Sequence, residues 1–86
     1  MRVLHLRRRF YASKRRFAPP GSPEGRAVVL VLRELGDEES VVPGPDDRGV
    51  DLPPAVLGRP VPGTNLVICY IPAALEVHVV ELVRRP

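Results

Sequence analysis

Six prolines and four glycines fall between residues 37 and 63, and they constrain this chain more than any other feature. Proline has no backbone N–H to give, and glycine weakens the interior of helices and strands alike. No regular element of useful length fits there, apart from a short turn at residues 55–57. A connection this long is unusual in a small domain. The stretch therefore reads as an irregular arm. Its acids crowd the first half, and Val50, Leu52, Val56, Leu57 and Val61 offer apolar anchors in the second.

Regular structure is then confined to the flanks. Residues 65–71 read NLVICYI and residues 75–84 read LEVHVVELVR, with Pro72-Ala73-Ala74 between them. Two runs rich in branched residues around a short connection predict an antiparallel β-hairpin over 65–84. A helix through 73–84 is disfavoured by Val77, Val79, Val80 and Val83, which lose rotamer freedom in a helix. Residues 26–35, RAVVLVLREL, are apolar on both alternating faces and lie between Gly25 and Gly36. That pattern predicts a strand covered on both sides. Pro19, Pro20, Gly21, Ser22 and Pro23 make residues 19–25 a turn. Residues 2–11 read as a strand, and 12–18 as a turn or short helix.

These 86 residues are expected to form one small domain. The expected fold class is mainly β, or a small α+β domain. It has a three- to four-stranded antiparallel sheet, a long Pro/Gly-rich connection and a basic N-terminal segment. A sheet this small needs a cover. No long amphipathic helix stands out to supply it, so a homodimer pairing faces or edges is expected. Apolar runs fall short of the roughly 20 residues that span a bilayer. The basic N-terminus lacks the apolar core of a secretion signal, so a cytoplasmic location is expected.

Charge divides the chain. Residues 1–18 hold seven basic side chains and no acid, while residues 19–86 hold six arginines and ten acids. Seven of those acids lie between Glu34 and Asp51, against Arg48 alone. The basic head could turn back on this acidic stretch or meet an outside polyanion. Within the head, Arg7, Arg8, Arg9, Lys14, Arg15 and Arg16 suit backbone phosphates. Phe10, Tyr11 and Phe17 lie among them and suit stacking on unpaired bases. These nine residues are the candidate nucleic-acid-binding set, for RNA or single-stranded DNA.

The other reactive side chains give little. The single cysteine excludes an internal disulfide framework and a Cys-pair zinc knuckle. His5, Cys69, His78 and Glu76 could in principle hold zinc, but none forms a recognised short ligand pair. Only Glu76 and His78 share a strand face. Cys69 with His78 would make a nucleophilic pair only in some hairpin registers, with no orienting or oxyanion element in view. Asp46, Asp47 and Asp51 lack the alternation and closing Glu of a calcium loop. There is no P-loop or dinucleotide fingerprint. No metal, cofactor or catalytic residue is assigned.

NLVICYI followed by LEVHVVELVRR resembles the closing hairpin of bacterial RelE-type ribonuclease toxins, over about 21 residues of the chain. That resemblance implies metal-independent cleavage of messenger RNA by basic and polar side chains on a sheet, with Arg84 and Arg85 as extra basic groups. The helical pair such proteins carry ahead of the sheet is expected here to give way to the Pro/Gly-rich stretch. Three functions are then open. They are a nucleic-acid-binding or ribonucleoprotein-associated module without catalysis, a ribonuclease of that kind, and a non-catalytic interaction or dimerisation domain.

Overall fold

Ser22, Pro23 and Glu24 start a helix in the region that reads as a strand. In the computed structural model, which describes residues 1–50 and 56–86, Pro23–Gly36 is α-helical. The Ser22 side chain accepts from the Gly25 N–H at 2.9 Å, proline occupies the first turn, and Glu24 faces the positive end of the helix dipole. Val28, Val31 and Leu35 are buried, while Val29 and Leu30 are exposed. The apolar run thus has one buried face at helical spacing. Branched residues cost only tenths of a kcal/mol each in a helix, which the cap and the burial outweigh. Ser22→Ala should lower stability by about 1 kcal/mol, read as a shift in the urea midpoint. Gly25 is tied to the preceding turn, because a Cβ there would lie 2.4 Å from the Pro19 carbonyl.

The head corrects the sequence reading in the same way. Only Val3–Leu6 (β1) is a strand, and Arg8–Phe17 forms the first helix, α1, ahead of Pro23–Gly36, α2. Phe10 is buried at the centre of the core and Phe17 packs at its margin. Anchoring these two residues at helical spacing decides the conformation. The turn at 19–25 gives way to α2 from Pro23 onward.

The arm is less irregular than its composition suggests. Arg48–Val50 (β2) and Val56–Pro60 (β3) are strands. Gly58 sits opposite Cys69, where a Cβ would meet Val67 at 2.8 Å, so glycine here serves a close approach within a strand. Val56 and Val61 are buried, Leu57 packs against the core, and Val50 is half-buried in β2. Leu52 and Ala55 lie outside the described residues.

Leu66–Pro72 (β4) and Glu76–Arg84 (β5) pair as an antiparallel hairpin. The sheet has five strands in the order β1-β5-β4-β3-β2, antiparallel throughout except for the parallel β1–β5 pair. Both helices lie on one face, over Leu66, Ile68, Tyr70, Val77, Val79 and Leu82. The molecule is a small mixed α+β domain, and the helices supply the cover that the sequence reading sought from a second chain. The physical reason for expecting a homodimer is thereby removed.

One irregularity sets which side chains face outward. Tyr70 pairs with Val79 but Cys69 pairs with Glu81, so Val80 is an extra residue, a β-bulge. The bulge reverses the alternation, bringing Leu82 into the core beside Val77 and Val79. Ser13 of α1 accepts from the Leu82 N–H at 2.9 Å, fixing the bulge to the helix.

Candidate functional site

β1 lies at the sheet edge with Leu4 and Leu6 turned into the core, so His5 points to the face away from the helices. The parallel register sets His5 beside His78, and Val3 beside Glu76. Glu76 and His78, two residues apart on β5, share that outer face. The two imidazoles stack with centroids 4.7 Å apart and planes within 12°. His5 Nε2 is 2.8 Å from one Glu76 oxygen, and His78 Nε2 is 3.3 Å from the other. Arg7 Nη2 lies 3.0 Å from His78 Nδ1. Side chains of His5, Glu76 and His78 are 44%, 46% and 25% exposed, so the cluster is open to solvent.

Hydrogen-bonding capacity assigns the protons. A guanidinium only donates, so His78 Nδ1 accepts from Arg7 and its Nε2–H donates to Glu76. An ionised carboxylate only accepts, so His5 Nε2–H also donates to Glu76. The hydrogen bonds from His78 and His5 hold the Glu76 carboxyl below the usual carboxylate range. Glu76 is therefore the ionised hub that orients both rings. His5 Nδ1 makes no hydrogen bond among the described residues and keeps a free lone pair.

Arg7 is also the N-cap of α1, with no side-chain cap, and no acid occupies the first helical turn. Arg8 and Arg9 stand there instead, against the helix dipole. Lys14, Arg15 and Arg16 occupy the last turn, where the dipole favours them. Among the described residues none of these six forms a salt bridge with a carboxylate. Only the Met1 ammonium of the head pairs with one of the described 34–50 acids, Glu38. The unfavourable charges of Arg8 and Arg9 stand at the end of α1 nearest the histidines.

The structure divides the nine candidate binding residues. Arg7, Arg8, Arg9, Arg15 and Arg16 are exposed, and Lys14 is half-buried. Tyr11 is 51% exposed. Phe10 is fully buried and belongs to the core, so it offers no face to a base. The Phe17 ring already carries the guanidinium groups of Arg16 and Arg84, at 5.2 and 4.8 Å. Cys69 faces Glu81 and not His78. Burial, with a smaller push from Glu81, raises its thiol pKa, so no nucleophilic pair forms. A separate groove near β3, lined by Asp47, Arg59, Thr64 and Arg85, shares no residue with the histidine cluster.

Sequence reasoning named His5, Glu76 and His78 and put the last two on one face, but did not bring His5 beside them. The missing signal is the parallel β1–β5 pairing, which joins segments some 70 residues apart and has no local signature.

No protein-family model matches the chain, and no curated protein matches it. Solved structures do share its fold. A chain of the chromosomal ParDE TA system from P. aeruginosa superposes with a TM-score of 0.64 at 14% identity, covering 100% of this chain and 98% of that one. The solution structure of a conserved hypothetical protein from Helicobacter pylori gives 0.63 at 15% identity, covering 98% and 94%. The architecture is RelE/ParE-like, helical pair included, which corrects the expectation that Pro/Gly-rich chain replaces that pair. No helix among the described residues is long and apolar enough to cross a membrane.

Proposed function

We propose that this chain is a small ribonuclease of the RelE-type toxin kind, which holds single-stranded RNA on its arginine-rich head and cleaves it at His5, Glu76 and His78. One observation carries the reading. Two imidazoles, a carboxylate and a guanidinium are hydrogen-bonded together on an open sheet face, beside a helix whose basic side chains form no salt bridge among the described residues. The likeness in fold to the ParDE TA chain supports the toxin class. It also favours the catalytic reading over a module that binds without cutting.

The chemistry needs only those side chains. Imidazole takes up and releases protons near neutral pH. His5, held through Nε2–H by Glu76, accepts the 2′-hydroxyl proton at Nδ1. The 2′-oxygen bonds to phosphorus and the bond to the 5′-oxygen breaks. His78, once Arg7 leaves its Nδ1, takes up a proton there from solvent and gives it to that leaving oxygen. Arg7 turns from His78 Nδ1 to the phosphate, where it stabilises the charge that develops. The products are a 2′,3′-cyclic phosphate and a 5′-hydroxyl. The mechanism requires a 2′-hydroxyl, so single-stranded DNA is bound but not cut.

Labelled RNA incubated with purified protein in EDTA at two salt concentrations tests this. Shortened RNA with cyclic-phosphate ends is the expected result. Intact RNA at both salts, under conditions where the protein is folded, counts against cleavage. Binding alone should weaken with salt at about −0.7 per phosphate contacted. Substituting Arg7, Arg8 and Arg9 together by alanine should flatten that slope by roughly 2 and weaken all sequences about equally.

A further inference from the structure

We infer that His5, Glu76 and His78 also form a three-ligand site for a zinc-type divalent cation, and that the ion silences the groups that would cut RNA. The second half rests on the ribonuclease reading, and the first does not. His5 Nε2, a Glu76 carboxylate oxygen and His78 Nε2 lie within 4.8 Å of one another. Four-coordinate zinc holds nitrogen and oxygen ligands at about 2.0–2.2 Å. Tetrahedral geometry at that radius places ligands roughly 3.4 Å apart. The observed 2.8 and 3.3 Å separations between the imidazole nitrogens and the carboxylate need only a small spreading of side chains that are partly exposed. Two imidazoles with one carboxylate suit zinc, and they leave a fourth position to water.

The scaffold suits this role. Glu76 and His78 alternate on one strand face, and the parallel register brings His5 alongside, so backbone hydrogen bonds on two strands fix all three Cα positions. Cys69 is buried and does not belong to the cluster, so the donor set is nitrogen and oxygen alone.

Arg7 opposes the ion. Its hydrogen bond to His78 Nδ1 keeps the remaining ring proton on Nε2, the nitrogen the metal needs. Metal binding moves that proton to Nδ1, which then becomes a donor, and Arg7 must leave. The guanidinium is also a nearby like charge. Arg7 is thus a gate that weakens metal binding while serving RNA. A bound ion would occupy Nε2 of both rings and Glu76, so the His5 ring proton would move to Nδ1 and remove the lone pair that takes the 2′-hydroxyl proton.

The test is titration calorimetry of the metal-free full chain with Zn²⁺ at one fixed pH, alongside circular dichroism. The expected result is one zinc per chain. Loss of an outer partner of a metal ligand already costs about 10–100-fold, so His5→Gln or His78→Gln should weaken binding by at least roughly 100-fold. Arg7→Ala should tighten it several-fold, a direction that a merely structural role for Arg7 does not produce. Absence of stoichiometric binding by the folded wild type would overturn the inference. So would unchanged binding in folded His5→Gln and His78→Gln, or weaker binding in Arg7→Ala. RNA cutting by a chain that binds no zinc would sink the metal site and leave the ribonuclease standing. Zinc binding by a chain that leaves RNA intact would do the reverse.

Discussion

Asp47→Ala should cost about 3–5 kcal/mol, the usual loss when one partner of a buried ion pair is removed. Its carboxylate is 2% exposed and faces the Arg59 guanidinium, 10% exposed. Arg59 Nε donates to one carboxylate oxygen at 3.0 Å and Nη2 to the other at 3.1 Å. The Gly44 N–H adds a bond at 2.9 Å, and the Tyr70 hydroxyl donates as well. Arg59 belongs to β3, Tyr70 to β4, and Asp47 immediately precedes β2. One carboxylate therefore pins the loop before β2 onto two sheet strands. Deleting it leaves the mostly buried guanidinium with only the Val41 carbonyl at 3.2 Å and the phenol without its acceptor. A domain of this size has about 4–13 kcal/mol in total, so the loss takes between about a quarter and all of it. Urea denaturation reads the loss. Replacing the cluster together, as Asp47→Leu with Arg59→Met and Tyr70→Phe, should recover about half or more of it, because no buried charge is then stranded. A loss below about 1 kcal/mol in Asp47→Ala would show that the pair is solvated.

The same cluster fixes how stability follows pH. Burial alone would raise the Asp47 pKa, but hydrogen bonds from Arg59, Tyr70 and Gly44 outweigh it and hold the carboxyl below its ordinary 3.8. Its contribution is therefore complete above about pH 4 and fades as pH falls through the lowered folded-state pKa. Burial first, then the hydrogen bond to Asp47, push the Tyr70 phenol above its ordinary 10.0. That contribution is complete below pH 10 and is lost as pH rises beyond it. Thermal unfolding scanned across pH should decline at both ends, and Tyr70→Phe should abolish the part of the alkaline decline that comes from Tyr70.

The second large effect concerns cleavage. His78→Ala and His5→Ala should each slow RNA cutting by about 10²–10⁴-fold, the usual worth of a general acid or base. RNA affinity should change little, since the exposed arginines of α1 remain. Both sites are on the outer face, so folding should survive, and circular dichroism verifies it. Activity retained in both variants would remove the imidazoles from the chemistry. Affinity lost in step with activity would turn the cluster into a binding element.

What was legible in the sequence follows from the range of the interactions involved. The β4–β5 hairpin could be read from branched residues around a short connection, because its pairing is local. The bulge at Val80 could not, since it depends on Ser13 of α1 reaching the Leu82 N–H. Residues 26–35 misled because six consecutive apolar residues satisfy strand and helix templates alike. The Ser22-Pro23-Glu24 start was the available signal, and it outweighs branching. Composition also overstated the irregularity of the arm, where glycine at 58 permits strand approach. For the site, the arginines of the head were visible as charge. The catalytic reading needed His5 beside His78, a contact that only the parallel edge pairing creates.

That pairing has a consequence for synthesis. His5 leaves the ribosome 71 residues before Glu76, a delay of roughly 4–14 s at ordinary elongation rates. On the ribonuclease reading, the nascent polypeptide displays its arginines during that interval, yet it holds only His5 and Arg7 of the four groups proposed to cut RNA. On that reading, the order in which the strands emerge keeps unfinished copies from cutting.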